Sequence, residues 1–351
     1  EGAQDYDIFL RFLEETTPER VYHIPKILYH WRMIEGSTAA TIDSKGYAVE
    51  KGRMAVEDAL KRRGVKAKVT VHPRVPYYLV RYEYETEPMV SIIIPTKDYA
   101  DVTEQCLKSL FEKTTYKNYE VILMNNNSEK KETFNLFKKY QNKYSNFRVI
   151  DANYEFNYSK INNQAVKEAK GEYIVLLNND TEIITPHWLQ IMVGYAMQPH
   201  IGAVGTKLLY PDNTVQHAGI ILGIGGIAQH CFIDNPRDDV GFYGRLSVPF
   251  NYSAVTAACL MVSKEKYLEV NGLEEDLQVA FNDVDFNLKL LKQGYYNICL
   301  NHVELYHHES KSRGDDTVDT SSAKYRRFVQ EHDYIKDKWG YMLYNDRFYN
   351  P

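Results

Sequence analysis

The chain has 351 residues, of which 44% are hydrophobic and 25% charged, as is typical of soluble globular proteins with a buried core. Its formal net charge is only -5, so no global basic field indicates nucleic acid as a partner. The four cysteines form no C-x-x-C pair and no apolar run reaches the roughly 18 residues of a membrane span. These features argue against a zinc ribbon, a disulfide scaffold and a transmembrane protein, and they fit a reducing cytoplasm.

The first 88 residues carry helical patterns but no alternating series of strands and helices. Residues 6–15 have helical spacing of apolar positions, and a charged helix is predicted from about residue 45 to 63. We therefore expect no complete active site in this region. Because the first residue is Glu rather than Met, we interpret the sequence as a piece of a longer protein.

From residue 89 onward, apolar runs alternate with helical patterns. The runs at 90–95, 120–124, 147–151 and 173–177 are predicted strands, and each is followed by turn residues and a helix. This order predicts an α/β fold with a parallel, doubly wound sheet, whose right-handed crossovers bring the strand ends to one rim. After about residue 197 the pattern changes to mixed β and loop structure, and an amphipathic helix is predicted at 321–339.

One strand end stands out, in the stretch GEYIVLLNNDTEII at residues 171–184. Its apolar run ends in Asn178, Asn179 and Asp180, at the sheet edge where open α/β folds bind ligands. Such oxygen ligands suit Mg²⁺ or Mn²⁺, and a divalent ion can bridge the diphosphate oxygens of a nucleotide. Taken alone, these residues are better explained as a turn cap, since Asn and Asp favour such positions.

Two motifs near the end of the chain carry further candidate residues. The imidazole of His307 can complete the coordination of Mn²⁺, and Arg313 can neutralise phosphate charge. Asp283 and Asp285 begin a predicted helix and lie two residues apart, so they do not share a face. One of them could act as a general base while the other caps or pairs. Alternatively both are structural, placed at the helix N-terminus by its dipole.

Two segments of the sequence repeat each other. DYDIFL at residues 5–10 is followed by LYHW at 28–31, and DVDFNL at 283–288 is followed by LYHH at 305–308. The interval from the first Asp to the His is nearly the same in both. Internal repeats indicate a duplicated unit, so we interpret residues 1–40 as the tail of an upstream module of the same kind. The alternative is a coincidence between two short helix–strand pieces.

The combination of VSIIIPTKD, NNNS, GEYIVLLNND, NYSAVTAACLMV, FNDVDF and ELYHHESKSRG resembles the family 2 glycosyltransferases with a GT-A fold. The likeness is strongest to bacterial rhamnosyltransferase-like members that build O-antigens and other surface polysaccharides. It implies a GT-A domain at 89–317, with a mostly parallel sheet flanked by helices and a mixed β/loop acceptor half. Residues 1–88 would then be the C-terminal remnant of an upstream glycosyltransferase-like module plus a helical connector, and 318–351 a C-terminal helical tail.

The resemblance also implies roles for particular residues in an inverting, metal-dependent transfer. Asp283 falls on the family's catalytic base, which takes a proton from the acceptor hydroxyl. Asn178, Asp180 and His307 fall on the positions that hold Mn²⁺ or Mg²⁺. The nucleotide-sugar pocket is expected at Thr96, Asp98, Asn125, Asn127, Asn157, Lys160, Asn179, Asp180 and Arg313. Acceptor recognition is expected at His217, Gly225, Gly226 and Asp285, with the loop 234–251.

The implied partners are a dTDP- or UDP-linked sugar donor and a glycan or lipid-linked glycan acceptor, with no nucleic acid. The implied location is cytoplasmic, with peripheral contact at the inner face of the membrane. Asn125 and Asn178 stand where Asp is common in the family. The alternative is therefore a catalytically weak module that binds nucleotide-sugar or glycan for the upstream domain. A nucleotidyltransferase is disfavoured, because no glycine- and arginine-rich phosphate loop follows the first strand.

Overall fold

The computed structural model describes residues 2–24, 26–30, 46–308 and 321–349. The chain divides into two compact units, Glu1–Glu85 and Thr86–Tyr349. In the described part of the chain, no helix is both long enough and apolar enough to cross a membrane.

The described residues of the first unit form two α-helices and a two-stranded antiparallel sheet. Its elements are α1 (Gln4–Glu15), a short 3₁₀ helix (Pro18–Arg20), α2 (Gly46–Arg62), β1 (Ala67–Val71) and β2 (Tyr78–Tyr82). The small residues Gly52, Ala55 and Ala59 form the buried stripe of α2 and allow the helix to approach the hairpin closely. The helix predicted at 45–63 is confirmed as α2.

The second unit begins with the predicted alternation of strands and helices. The elements of its first half are β3 (Val90–Thr96), α3 (Ala100–Lys113), β4 (Tyr119–Asn125), α4 (Lys131–Lys143), β5 (Phe147–Asp151), α5 (Tyr158–Glu168), β6 (Tyr173–Leu177), β7 (Thr181–Ile183), α6 (Trp188–Ala196) and β8 (Ile201–Leu209). Every residue of β3 and β4 is buried, as expected for parallel strands covered by helices on both faces.

The second half of this unit is irregular, as its sequence pattern predicts. Its elements are β9 (Val215–His217), β10 (Ile220–Leu222), β11 (Ala228–His230), β12 (Pro249–Tyr252), β13 (Cys259–Ser263), α7 (Lys264–Glu269), α8 (Asn282–Lys292), β14 (Tyr296–His307) and α9 (Ala323–Leu343), with 3₁₀ helices at Ile224–Gly226 and Phe242–Gly244.

Ten strands of the second unit form one mixed sheet. The order along the sheet is β12-β14-β8-β13-β6-β3-β4-β5, with β7 paired to β14 and β9 to β8. The strands β6, β3, β4 and β5 are parallel neighbours, whereas β13 is antiparallel to both β6 and β8. The predicted α/β fold, with a parallel half and a mixed half, is confirmed.

The C-terminal helix α9 packs within the second unit. Its residues Ile335, Trp339 and Leu343 are buried in one apolar cluster with Val284 and Leu288 of α8. This packing holds the N-terminal end of α8 next to the carboxyl ends of the central strands.

Candidate active site

A cavity of about 1070 Å³ lies in the second unit, at the carboxyl ends of β3, β6 and β14. Seven of the residues predicted from sequence line it: Thr96, Asp98, Asn178, Asn179, Asp180, Asp283 and His307. They come from segments that lie as far apart in sequence as Thr96 and His307, so the fold has brought them together. A smaller cleft of about 490 Å³ lies between α3 and α4 and contains none of the predicted residues.

Asp180 and His307 face each other at one end of this cavity. Oδ1 of Asp180 lies 3.1 Å from Nε2 of His307, and Nδ2 of Asn178 lies 3.3 Å from the same ring nitrogen. Nδ1 of His307 lies 2.6 Å from Oε1 of Gln216. Because a carbonyl oxygen only accepts hydrogen bonds, Nδ1 carries a hydrogen, and in the neutral imidazole the lone pair then lies on Nε2, the atom nearest Asp180.

The Asp180 carboxylate is buried, and its Oδ1 has no hydrogen-bond partner among the described residues. Burial acts to raise the pKa of Asp180, but contact with His307 and the nearby His308 outweighs it and the net pKa is lowered. The ionised Asp180 carboxylate therefore lies beside Nε2 of His307, and the described residues offer its Oδ1 no further hydrogen-bond partner. This arrangement suits a shared cation.

The described side chains alone do not form a complete metal cage. Among the described ranges, no group of three or more His, Cys, Asp or Glu side chains could hold a metal ion. The pair Asp180 and His307, with the amide of Asn178, fits a hard divalent cation that takes its further oxygens from elsewhere. A nucleoside diphosphate has such oxygens.

Asp283 is held at the cavity by backbone contacts. Its Oδ2 accepts a hydrogen bond from the amide of Ala257 at 3.1 Å, and its Oδ1 accepts one from Val284 at 2.8 Å. The chain turns sharply just before α8, where Phe281 adopts a left-handed backbone conformation with φ of 59°. Asp283 remains partly exposed and lines the cavity.

The buried Glu331 of α9 fixes the loop that precedes Asp283. Its carboxylate accepts hydrogen bonds from the amides of Val279 at 3.1 Å and Ala280 at 2.7 Å. Burial raises the pKa of Glu331 above its ordinary value despite these donors. The position of Asp283 thus depends on a helix that lies about fifty residues further along the chain.

Asp285 does not line the cavity. It is fully buried, and its Oδ1 accepts from Nε1 of Trp339 at 2.8 Å and pairs with Nζ of Lys338 at 2.9 Å. Its Oδ2 lies 3.3 Å from Nζ of Lys289. Of the alternatives left open by the sequence, the structure therefore separates the two carboxylates, with Asp283 at the cavity and Asp285 in a packing contact between α8 and α9.

Three other candidates for acceptor contact lie apart from the cavity lining. His217 is fully buried, and its ring packs edge-on against His230 with centroids 4.7 Å apart. Burial first, and the neighbouring His230 and His307 second, hold the pKa of His217 well below its ordinary value. Gly225 and Gly226 belong to the 3₁₀ helix at Ile224–Gly226. The loop 234–251 contributes no residue to the lining.

Thr96 and Asn179 form a small hydrogen-bonded network at the floor of the cavity. Nδ2 of Asn179 donates to Oγ1 of Thr96 at 3.2 Å and to Oγ1 of Thr103 at 3.1 Å, and the two hydroxyl oxygens lie 2.9 Å apart. This network ties the end of β6 to the end of β3 and to α3.

Asp98 lines the cavity and also holds the start of α4. Its Oδ1 accepts from the amides of Glu129 at 3.0 Å and Lys130 at 2.9 Å, and its own backbone has a φ of 52°. Burial acts to raise the pKa of Asp98, and the two amides more than offset this, so the net pKa is lowered. One carboxylate oxygen is thus already used within the protein.

The remaining donor-side candidates make contacts within the protein and lie outside the cavity lining. Asn125 donates to Oδ1 of Asp151 at 2.8 Å, and Asn127 donates to the carbonyl of Tyr154 at 2.8 Å. Asn157 caps α5, and Lys160 lies over the ring of Tyr154 at 4.6 Å. Arg313 lies outside the described residues, as does Trp31 of the repeat. The assignment of all these residues to donor binding stays a prediction.

The structure adds residues that the sequence did not suggest. Among the described residues, four cationic side chains line the cavity, and two of them come from α9. Aromatic rings also line it, including Phe281 and Phe328, whose centroids are 5.6 Å apart. In the sequence, Lys324 and Arg327 lie three residues apart on one amphipathic helix, which is a pattern that could have been noticed. The sequence near them does not show that this helix lies at the cavity. The cations are Lys97, Lys130, Lys324 and Arg327.

The chain is similar to proteins of known family and fold. Residues 91–241 match the family model for Glycosyl transferase family 2. The uncharacterized protein y4gI of Sinorhizobium fredii (strain NBRC 101917 / NGR234) is 42% identical over 353 residues, which cover 100% of this chain and 38% of that protein. The O-antigen biosynthesis protein RfbC of Myxococcus xanthus is 39% identical over 329 residues, covering 91% of this chain and 25% of that protein.

A solved structure shares the fold. The mannosyltransferase PcManGT from Pyrobaculum calidifontis, in complex with GDP-Man and Mn²⁺, superposes with a TM-score of 0.52 at 18% identity. The match covers 83% of this chain and 72% of that one. The present chain spans well under half the length of the two curated relatives, 38% and 25%. It contains a domain that belongs to glycosyltransferase family 2 and has the GT-A fold.

Proposed function

We propose that the second unit is a metal-dependent, inverting glycosyltransferase that extends a bacterial surface glycan, of rhamnose-type polysaccharide or O-antigen. The observation that carries this proposal is the convergence of Asp180, His307 and Asp283 in one cavity of the GT-A domain. The name of the relative RfbC, an O-antigen biosynthesis protein, supports the class of product.

Asp283 is the proposed general base. Its two oxygens each accept one backbone hydrogen bond, which leaves further lone pairs directed at the cavity. The base takes the proton of the acceptor hydroxyl, and the oxygen forms a bond to the anomeric carbon. The bond from that carbon to the diphosphate breaks on the opposite face, so the nucleoside diphosphate leaves with the electron pair and the configuration inverts.

Asp180, His307 and Asn178 are the proposed protein ligands of a divalent cation, Mn²⁺ or Mg²⁺. The paired lone pairs of Asp180 and His307 fit this role, and Gln216 orients the ring. When bound, such an ion supplies positive charge for the leaving diphosphate. The cations of Lys130 and Arg327 line the same cavity and are placed to neutralise phosphate charge as well.

The donor pocket is proposed on the side formed by β3 and β6. Thr96, Asp98 and Asn179 line the cavity there, next to the metal pair. The donor base stays open between dTDP and UDP, and the acceptor is a glycan or lipid-linked glycan. We place the reaction in the cytoplasm, with peripheral membrane contact arising from the acceptor.

A second candidate function is a binding module with weak catalysis. It is favoured by one observation, that Asn178 supplies an amide where a second carboxylate would strengthen the metal site. Such a module would hold nucleotide-sugar or glycan without turning it over.

A screen of nucleotide-sugars tests both functions. With Mn²⁺ present, we expect one donor to raise the melting temperature, because a ligand that binds only the folded state stabilises it. Addition of a glycan acceptor should then release nucleoside diphosphate. Binding without release would favour the binding module. If no nucleotide-sugar in the screen binds or reacts, both proposals are contradicted.

A further inference from the structure

Helix α1 of the first unit exposes its apolar face. Its partly buried stripe includes Asp7, Leu10 and Glu14, and Glu14 pairs with Arg62 of α2 at 2.7 Å. Amphipathic helices normally bury the apolar stripe, and a contiguous exposed one marks an interaction surface. The exposed stripe, between 50% and 66% accessible, consists of Ile8, Phe9, Phe12 and Leu13.

Helix α8 of the second unit has the same sequence pattern in the same register. Gln4–Glu14 and Asn282–Lys292 align without a gap, with acidic residues at the second and fourth positions of both. Both helices also contain the same internal ion pair between the fourth and eighth positions. Asp7 and Arg11 are 2.9 Å apart in α1, and Asp285 and Lys289 are 3.3 Å apart in α8.

The equivalent positions have opposite environments. In α8 the counterparts of the exposed stripe are fully or almost fully buried, where the helix packs on the sheet and on α9. Ile8 is 50% exposed and its counterpart Phe286 is 0% exposed, while Leu13 is 51% exposed and its counterpart Leu291 is 7% exposed. The face that lacks cover in α1 is therefore the face that lies on a sheet in α8.

The segment after each helix shows the same contrast. In the second unit α8 is followed by β14, which pairs with β8, β12 and β7 and ends in Leu305, Tyr306 and His307. In the first unit the matching Leu28, Tyr29 and His30 belong to no strand, and Tyr29 is 79% exposed. A strand needs neighbours to satisfy its backbone groups, so this segment has the sequence of a strand without the sheet.

We propose that residues 4–30 are the last helix and last strand of a second domain with this same fold. The apolar face of α1 then docks on the sheet of that domain, within one polypeptide. More than half of the length of each curated relative lies outside its match to this chain, which is room for such a domain. The inference rests on the fold of the second unit and not on its proposed chemistry.

Two other occupants are less compatible with the residues of α1. A membrane surface usually attracts basic amphipathic helices, whereas α1 carries Asp5, Asp7, Glu14 and Glu15 against a single Arg11. A second copy of this chain offers no uncovered sheet of its own second unit, because α8 already covers it.

Hydrogen exchange of α1 tests the proposal in the 351-residue chain and in the complete gene-encoded polypeptide. We expect amides 8–13 to exchange at least about tenfold more slowly in the complete polypeptide, since a docked helix opens less often. The double variant Ile8→Ser with Phe12→Ser should abolish that difference. The control variant Tyr341→Ser removes an exposed aromatic side chain from α9 and should leave the difference unchanged.

Several results would overturn the proposal. Amides 8–13 could exchange equally fast in both proteins. Their protection in the 351-residue chain could rise with the concentration of that chain, or anionic vesicles could protect them. A gene product without further sequence before residue 1 would also overturn the proposal. None of these readouts depends on sugar transfer, so loss of the proposed activity and failure of this inference are distinguishable.

Discussion

Two regions of the second unit use similar polar residues in different ways. At the starts of α4 and α5, Asp98 and Asn157 direct side-chain oxygens to backbone amides. After the end of β6, Asp180 keeps an oxygen without a hydrogen-bond partner in the described part of the chain, and it faces His307 of β14. The comparison teaches that an Asn or Asp after a strand is a candidate ligand only where nearby backbone groups do not already use its atoms.

The largest expected effect is on the side of the base. Asp283→Asn removes the proton acceptor while the amide can keep one backbone contact, so we expect transfer to fall by about 10³-fold with nucleotide binding retained. Steady-state rates and donor affinity would be measured together. Asp276→Asn, an exposed carboxylate in the preceding loop, is the matched control. Undiminished turnover in Asp283→Asn would refute the role of the base.

The next effect concerns the metal pair. Asp180→Asn should weaken Mn²⁺-dependent donor binding and lower transfer by roughly 10²-fold, because charge stabilisation of a leaving phosphate is worth several kcal/mol. Asn178→Asp should act in the opposite direction by adding a carboxylate. Calorimetric titration of the donor with and without Mn²⁺ separates these outcomes. If Mn²⁺ changes the donor affinity of neither the parent protein nor the two variants, the assignment of the metal ligands is contradicted.

Asp285 provides the structural counterpart of Asp283 on the same helix. Asp285→Asn leaves Lys338 and Lys289 without their buried partner, so we expect a loss of about 2–3 kcal/mol in the free energy of unfolding. Denaturant unfolding measures this loss. Asp285 does not line the cavity, so the variant should keep the donor specificity of the parent protein at temperatures where it is folded.

Asn157 tests the other half of the comparison, in which a polar side chain is used by backbone groups of the protein itself. Its side chain accepts from the amide of Lys160 at 2.9 Å and donates to the carbonyl of Glu275 at 2.7 Å. Asn157→Ala should therefore lower stability by about 1–2 kcal/mol through loss of the cap. Thermal unfolding and donor affinity would be compared, and a larger loss of affinity than of stability would favour direct donor contact.

The smallest effect is the pH dependence of Asp98. Its lowered pKa means that it stabilises the fold above the ordinary Asp value and loses this contribution as pH falls through the lowered pKa. Asp98→Asn should cost only a few tenths of a kcal/mol at neutral pH, since Asn is also a good cap. The stability curves of the two proteins should converge below about pH 4. Curves that stay parallel would contradict the role of the charge.

Much of the fold followed from local pattern. The four parallel strands β3, β4, β5 and β6 and their helices were predictable because apolar runs and helical spacing are encoded within ten to fifteen residues. The placement of α9 was not, because an amphipathic helix records which face is apolar but not what covers it. Consequently, the sequence did not predict that Lys324 and Arg327 line the cavity, nor that Glu331 binds the loop before Asp283.

By itself, the sequence determined the α/β class, the strand ends that carry polar residues, and the likeness between DYDIFL and DVDFNL. The tertiary structure decided which of those residues line the cavity. Asp283 and Asp285 are two residues apart and alike in type, yet one lines the cavity and the other is sealed against Trp339. The physical reason is that burial and the nearest charges, both set by distant segments, determine what a carboxylate can do.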